Sequence, residues 1–296
     1  LPMSQFFEDY ILQFPQAWQF RLGDAVDAAV KGFAVRHRGM LGAIKDAVTT
    51  VIGAIRGTLE WIPWIVLVLA VVALTCYLTK KWRLGLVYGL LLTFIGCSGL
   101  WGHMLQTLSV VIASVVLCIL LGFPLGVLLT MSSRANRVVR PVLDTMQTMP
   151  SWVYLVPAVL LFSVGTTPAL LATTIYAIVP MVRMTSHGLL YVDAEMLEAS
   201  RAFGATKMQT LIKVQIPQAK PTIMAGVNQT IMMAMSMVVT CALIGANGLG
   251  MEILVATNQV QVGKSLLPGI AIVIVAVILD RLTQAAVKRS EVKADG

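Results

Sequence analysis

Long uncharged runs separate the charged residues of this sequence, and these runs limit what the chain can fold into. Nineteen uncharged positions follow Glu60, 50 follow Arg83, 38 follow Asp144, 31 follow Lys220 and 15 follow Lys264. Because a helix needs about 20 apolar residues to cross a bilayer core, the runs provide roughly one, two, two, one and one crossings. Charged residues make up only 12% of the chain, against about a quarter of a soluble domain. We therefore predict an all-α, polytopic membrane protein with about seven transmembrane helices.

Turn signals divide the uncharged runs into individual helices. Glycine-containing breaks at 99–103 and 165–168 interrupt the two longest runs. We expect transmembrane helices at about residues 61–78, 84–100, 105–131, 151–164, 169–184, 221–244 and 266–283. The chain then divides into an N-terminal region, two first helices, a core with a polar loop and a short tail: 1–60, 61–104, 105–284 with the loop at 185–220, and 285–296.

The positions of lysine and arginine predict the orientation. Fifteen of the 22 basic residues fall in four segments that lie on one side in a seven-helix topology: 80–83, 134–140, 183–220 and 281–293. Basic loops resist translocation, so this side is expected to be cytoplasmic. The N-terminus then faces outward and the C-terminus is cytoplasmic. The net charge of +8 is accordingly a topology signal, and we expect no nucleic-acid partner.

The N-terminal region contains an amphipathic pattern that is too polar to be a crossing. Its apolar residues recur with a helical period: Ile44, Val48, Val51, Ile52, Ile55 and Leu59. Such a helix is expected to lie in the outer membrane interface. A scaffold role fits it, and a regulatory role stays open.

Residues for catalysis or metal binding do not cluster in the sequence. The four cysteines are single, and the three histidines are dispersed. No Gly-x-x-x-x-Gly-Lys-Ser/Thr phosphate-binding motif occurs. We expect no metal site, no cofactor bound by this chain and no enzymatic activity. A membrane enzyme would need reactive residues at one depth, and an ion-coupled secondary transporter would show intramembrane ionisable residues and an inverted repeat.

The polar loop at 185–220 is predicted to form two short helices. Asp193 can cap the first helix, and Gly204 suits its left-handed end. Thr206 and Gln209 match a capping box that starts the second helix, which Pro217 is expected to end. The second helix carries one apolar face: Met208, Leu211, Ile212 and Ile216. These faces should dock onto a partner, or alternatively onto the chain's own membrane helices.

This loop resembles the "EAA" loop of the permease subunits of type I ABC importers. The family pattern is Glu-Ala-Ala, three residues, Gly, nine residues, Ile-x-Leu-Pro. Here Glu198-Ala199-Ser200 is followed at the same spacing by Gly204 and by Val214-Gln215-Ile216-Pro217. The substitutions Ser for Ala, Val for Ile and Ile for Leu are mild departures. Segments 144–150 and 244–250, together with Gly165, resemble the glycine betaine/proline betaine/choline branch of the family.

The resemblance implies a partner assembly and a cargo. Residues 105–284 would be the permease core, in a bacterial cytoplasmic membrane and paired with a second permease copy. Two separate ATPase subunits, using ATP and Mg, would bind the loop, and a substrate-binding protein would dock outside. The cargo would be a quaternary amine, although a permease for another small nutrient remains an alternative. The residues assigned to ATPase coupling are Glu198, Ala199, Ser200, Gly204, Val214, Ile216 and Pro217.

The second-last crossing supplies candidates for the translocation path, because polar side chains in membrane helices usually face a cavity or a helix partner. These candidates are Asn228, Gln229, Ser236, Thr240 and the flexible Met233. Trp152 and Tyr154 are candidates for cation–π contact with a quaternary ammonium group. Simple helix packing, and membrane-interface placement of the aromatics, are the alternatives. Arg183 and Asp280 are expected to be interface anchors.

Overall fold

The computed structural model describes residues 22–292, with side chains from 23 to 289. This part of the chain is helical and contains no strand, which confirms the predicted all-α class. The helices are α1 (Leu22–Arg36), α2 (Arg38–Trp61), α3 (Trp64–Thr79), α4 (Trp82–Cys97), α5 (Trp101–Met131), α6 (Ser133–Thr148), α7 (Trp152–Phe162), α8 (Thr166–Leu190), α9 (Ala194–Ala202), α10 (Lys207–Thr210), α11 (Ile216–Thr240), α12 (Leu249–Asn258) and α13 (Val262–Val292). A π turn (Leu211–Gln215) joins α10 to α11, and a 3₁₀ turn (Cys241–Ile244) ends α11.

Helix α8 lies at the centre of the bundle, between α5 and α11. It runs parallel to α5, because Ser114 donates to the carbonyl of Leu170 (3.4 Å) and Cys118 to that of Thr174 (3.4 Å). It runs antiparallel to α11, because Gly188 near its end lies against Ala219 near the start of α11, and Cys241, just beyond α11, donates to the carbonyl of Ala169 (3.7 Å). Helix α13 then packs antiparallel to α11.

Glycines bring these helices close together. A Cβ on Gly126 of α5 would lie 2.6 Å from Thr185 Cβ of α8, and one on Gly226 of α11 would lie 2.7 Å from Met184 Cβ. Small residues at such crossings let membrane helices approach and gain van der Waals contact. Thr185 is fully buried at this contact. Because Gly126 and Gly226 have no side chain, α5 and α11 can pack closely against α8 from two sides.

The helix directions place three of the predicted basic segments, and residues 281–289 of the fourth, at one end of the bundle. This end, here called the loop end, carries residues 191–215 and the last turns of α5, α8 and α13. Arg289 near the end of α13 donates to the carbonyl of Tyr77 and stacks over its ring (3.5 Å), so the turn at 80–83 also lies there. The opposite end carries α12, where His103 and Glu252 approach to 3.4 Å.

Four helices in the described residues are long and apolar enough to cross a membrane: Trp101–Met131, Thr166–Leu190, Lys207–Ile244 and Val262–Arg289. Helices α2 and α3 form a fifth candidate that is bent by 92°. Helices α4 and α7 are shorter, with 16 and 11 residues. The number of crossings, about seven, therefore stays a prediction.

The return from α5 to α8 differs from the single helix predicted at 151–164. Because α5 and α8 are parallel, residues 132–165 must lead the chain back to the opposite end. Helix α7 has 11 residues, about 16 Å, roughly half of a bilayer core. The segment predicted as a basic loop forms α6 instead, and Leu143 of α6 is buried against Val179 and Val182. The return is therefore shared by two helices, α6 and α7, and the chain breaks between them next to Pro150.

The amphipathic helix predicted in the N-terminal region is present as α2. Its Ile52 is buried and Val48, Ile55 and Leu59 pack against the core, whereas Ile44 and Val51 are exposed. Thr49 lies 3.4 Å from Thr167 at the start of α8 (Oγ1 to Oγ1), so α2 covers the opposite end of the bundle. Residues 1–21 of the predicted N-terminal region 1–60 lie outside the described residues.

We predict that Gly126→Ala destabilises the bundle, because the new methyl group would overlap Thr185 and a backbone carbonyl 2.9 Å away. Overpacking of this kind costs roughly 1–3 kcal/mol, which thermal unfolding of the purified chain in detergent would detect as a lower midpoint. Gly102→Ala on the same helix is the control, since nothing lies within 4 Å of its Cβ position. Equal midpoints for the two variants would contradict the close contact.

Candidate coupling loop and translocation face

The first helix of the loop forms as its capping residues predict. The Asp193 carboxylate accepts a hydrogen bond from the Glu195 amide (2.9 Å), and α9 extends to Ala202. Gly204 follows with φ of +77°, and the Ala205 amide closes the turn on the Ser200 carbonyl (3.1 Å). Nothing lies within 4 Å of a Cβ at Gly204. Glycine is needed there for the backbone conformation and not for space.

The second helix begins with the predicted capping box. The Gln209 amide donates to Thr206 Oγ1 (3.3 Å), and the Thr206 amide donates to Gln209 Oε1 (2.8 Å). The prediction that Pro217 ends this helix is wrong, because α10 continues through the π turn into α11. Pro217 directly follows the π turn, in which the Ile216 amide donates to the Leu211 carbonyl, so the missing proline amide falls where the α-helical hydrogen-bond pattern is already interrupted. Residues 207–244 are consequently one continuous helical run.

One side-chain hydrogen bond ties the two loop helices together, and a second ties the loop to its own bundle. Ser200 and Thr210 hydroxyls lie 2.9 Å apart, so the serine that replaces the family alanine ties α9 to α10. The Gln215 amide donates to the Leu189 carbonyl at the end of α8 (3.2 Å). Sequence reasoning missed Thr210 and Gln215, because neither belongs to an apolar pattern or a cap. These polar contacts position the loop together with the packing of Leu211 and Ile216 against the bundle.

The outer surface of the loop presents uncovered apolar side chains between charged ones. Phe203 at the tip is 92% exposed, and Met196, Met208 and Ile212 are each about half exposed. The predicted apolar face of the second helix is split, since Leu211 is buried and Ile216 is half-buried against the bundle. The π turn between them adds a residue to the turn and changes the register of the side chains. Exposed Met196, Phe203, Met208 and Ile212 form what we call the docking surface.

The structure places the predicted coupling residues on both sides of this loop. Glu198, Ala199, Gly204 and Pro217 are exposed. Ser200, Val214 and Ile216 are half-buried; Ser200 contacts Thr210 of the loop, and Ile216 packs against the bundle. The first group is available to a partner, and the second supports the loop from below.

One face of α11 is left uncovered by the rest of the chain. Its exposed residues recur every three or four positions, which gives a continuous stripe: Pro221, Ala225, Gln229, Met232 and Ser236, followed by half-buried Thr240. Ser236 donates to the Met232 carbonyl (3.2 Å), and Thr240 to the Ser236 carbonyl (3.4 Å). The three polar candidates Gln229, Ser236 and Thr240 therefore share this stripe. In a membrane, a stripe with these groups suits a polar cavity better than lipid.

Two other candidates on α11 point elsewhere. Asn228 donates to Asp280 of α13 (2.6 Å), and Asp280 also accepts from Gln284 (2.8 Å). Met233 packs against the hydrophobic core. Asp280 thus ties α11 to α13, a role that differs from the interface anchor predicted for it. A single sequence does not show which of two adjacent residues, such as Asn228 and Gln229, faces a neighbouring helix.

The aromatic candidates lie on α7 beside α8. The rings of Tyr154 and Tyr176 are 6.3 Å apart, and the Tyr154 hydroxyl donates to the Met146 carbonyl (2.6 Å). Trp152 is 58% exposed. Two turns beyond Tyr176 toward the loop end, Arg183 of α8 donates to Asp144 of α6. Arg183, predicted as an interface anchor, therefore fastens the first half of the return path to α8.

Comparison with known proteins identifies relatives over most of the chain. Residues 118–292 match the family described as "Binding-protein-dependent transport system inner membrane component". The glycine betaine transport system permease protein OpuAB of Bacillus subtilis is 42% identical over 264 residues, 89% of this chain and 93% of that protein. The glycine betaine/carnitine transport permease protein GbuB of Listeria monocytogenes is 44% identical over 256 residues, with 83% and 90% covered.

A third relative and a solved structure extend the comparison. The glycine betaine/proline betaine transport system permease protein ProW of Escherichia coli is 49% identical over 191 residues, 64% of this chain and 54% of that protein. A structure of the MetNI methionine ABC transporter in an inward-facing conformation covers 62% of this chain and 93% of its own, with a TM-score of 0.57 and 24% identity. This likeness shows a shared fold.

Loss of the capping box should loosen the second loop helix. Thr206→Ala removes the acceptor for the Gln209 amide, which costs about 1 kcal/mol. We predict roughly fivefold faster hydrogen exchange at residues 207–210 by mass spectrometry, because 1.4 kcal/mol corresponds to a factor of ten. Thr206→Ser keeps the hydroxyl and is expected to exchange as the parent chain does. Unchanged exchange in the alanine variant would show that the cap does not stabilise this helix.

Proposed function

The chain belongs to the family of binding-protein-dependent transport system inner membrane components, and from this premise we propose that it imports a quaternary amine such as glycine betaine, proline betaine or choline. It is the permease subunit of an ATP-driven ABC importer and has no enzymatic role of its own. The relatives named for glycine betaine, carnitine and proline betaine support this cargo class.

The continuity between the loop and α11 carries the proposed mechanism. Residues 207–244 form one helical run that begins under the docking surface and ends with the polar stripe. A displacement of the loop therefore moves α11 along or about its axis, without a flexible joint at Pro217. The π turn near its start and the 3₁₀ turn at its end change the hydrogen-bond pattern of this run but do not break it.

The partners follow from the family. A permease of this family works with ATPase subunits and a substrate-binding protein. We propose that two ATPase subunits, which bind and hydrolyse ATP with Mg, cover the docking surfaces of two identical permease copies. The uncovered stripe on α11 supports the pairing, because a second copy facing it would enclose Gln229, Ser236 and Thr240 in one central path.

The proposed path holds its cargo weakly. Gln229, Ser236 and Thr240 supply dipoles, and the Tyr154–Tyr176 pair and Trp152 supply aromatic faces that can attract a quaternary ammonium group. Tight selection is left to the external substrate-binding protein. ATP binding closes the ATPase subunits and switches access to this path from one side of the membrane to the other, and hydrolysis resets it.

The proposed orientation puts the loop end in the cytoplasm. The basic residues at 80–83, 134–140, 183–220 and 281–289 share this end, as the positive-inside rule requires. The N-terminus then lies outside and the C-terminus inside a bacterial cytoplasmic membrane. Helix α2 at the opposite end lies near the docking position of the substrate-binding protein.

The coupling role predicts a specific effect at Gly204. Gly204→Val should leave membrane insertion intact and abolish substrate-stimulated ATP hydrolysis and uptake, because a branched side chain opposes the positive φ between α9 and α10. Gly204→Asn, which tolerates the left-handed conformation, should retain much of both activities. The measurement uses the permease reconstituted with its ATPase and substrate-binding protein. Normal transport by the valine variant would refute the coupling assignment.

The cargo class has its own test. Labelled glycine betaine, proline betaine and choline are each offered to proteoliposomes. For at least one of them, uptake should depend on ATP and on the substrate-binding protein. ATP hydrolysis should rise with the same compound. If ATP hydrolysis responded to none of the three, the importer would serve another small nutrient.

A further inference from the structure

A polar groove at the loop end is not used by the coupling loop or by the stripe on α11. It lies where α5 ends, α6 begins and α8 ends, and its volume is about 410 Å³. Its lining combines two guanidinium groups with small polar side chains and two leucines: Thr130, Ser133, Asn136, Arg137, Arg140, Pro141, Asp144, Leu129 and Leu190.

The groove carries uncompensated positive charge. Neither Arg137 nor Arg140 has an ion-pair or hydrogen-bond partner among residues 23–289. The one carboxylate in the lining, Asp144, already accepts from Arg183. Two exposed guanidinium groups one turn apart are well suited to a phosphate, because their planar donor forks match its oxygens.

Exposed apolar side chains lie in the groove and on the opposite flank of α6. Leu190 in the lining is 51% exposed, and on the other flank of α6 Val138 is 69% and Val142 53% exposed. Leu143 anchors α6 to the bundle. Helix α6 therefore combines an apolar flank with a basic one beside the ends of two membrane-crossing helices. A ligand that fits this position carries both an anionic group and hydrocarbon.

We propose that the groove binds an anionic phospholipid of the adjacent leaflet, with its phosphate between Arg137 and Arg140. Ser133 and Asn136 add hydrogen-bond donors, and exposed Leu190 contacts the start of an acyl chain. A free phosphate would gain the arginines but nothing from Leu190. Basic pockets between helices at the cytoplasmic boundary have the chemistry that lipid headgroups require. The lipid holds α6, and through it the first half of the return path, at the membrane surface.

Lipid counting by native mass spectrometry tests this site without reference to the cargo. The full chain is purified from membranes in mild detergent and equilibrated with equal amounts of phosphatidylglycerol and phosphatidylcholine. We expect one tightly held phosphatidylglycerol per chain. In Arg137→Gln/Arg140→Gln the preference for phosphatidylglycerol should fall by roughly thirtyfold, because each basic residue contributes about a factor of five near an anionic surface.

Two further variants distinguish the effect of positive charge on lipid binding from the effect of the groove's shape. Lys80→Gln/Lys81→Gln makes the same charge change at the same end, away from the groove, and should retain the lipid. Ser133→Trp fills the groove without changing its charge and should release the lipid. Excess inorganic phosphate should not displace it. Retention of phosphatidylglycerol by the arginine variant, equal loss in the lysine control, or displacement by inorganic phosphate would each overturn the proposal.

Discussion

The close packing of α8 between α5 and α11 determines the rest of this structure. Gly122 and Gly126 admit α8 on one side, and Gly188 and Gly226 bring α8 and α11 together on the other. With α8 covered in this way and α13 tied to α11 through Asp280, one face of α11 remains uncovered. The polar stripe is a consequence of that arrangement. The packing also fixes α5 and α8 as parallel helices, which forces the chain to return between them through α6 and α7.

The loop is built on a different principle from the bundle. Caps, a capping box and the hydrogen bonds of Ser200 and Gln215 shape it, Leu211 anchors it to the bundle, and the four apolar side chains of the docking surface face outward. A surface of this kind is stable in water only when a partner covers it or when it is small. Its rigid connection to α11 means that force applied to the loop reaches the proposed path. The backbone hydrogen bonds of the helical run 207–244 connect the docking surface to the proposed path.

Much of this organisation can be read from the sequence because charges are costly in a bilayer and helix ends need specific residues. The gaps between charged residues predict the long helices, and Asp193, Gly204, Thr206 and Gln209 predict the loop helices with their caps. The division of the return path is not predicted, because amphipathic α6 has the composition of a surface loop. The passage through Pro217 is missed since a π turn has no sequence signature of its own. Similarly, the contact between Asn228 and Asp280 joins residues 52 positions apart, and periodicity along one helix carries no information about its neighbour.

The account depends on contact between the docking surface and the ATPase, and photo-crosslinking from Phe203 measures that contact directly. A photoreactive phenylalanine analogue replaces Phe203 in the assembled importer, and a second chain carries it at Trp64, which is 51% exposed at the opposite end. The account predicts a covalent adduct between the permease and its ATPase subunit from position 203 and none from position 64. Absence of the adduct at position 203, or equal adducts at both positions, would contradict it.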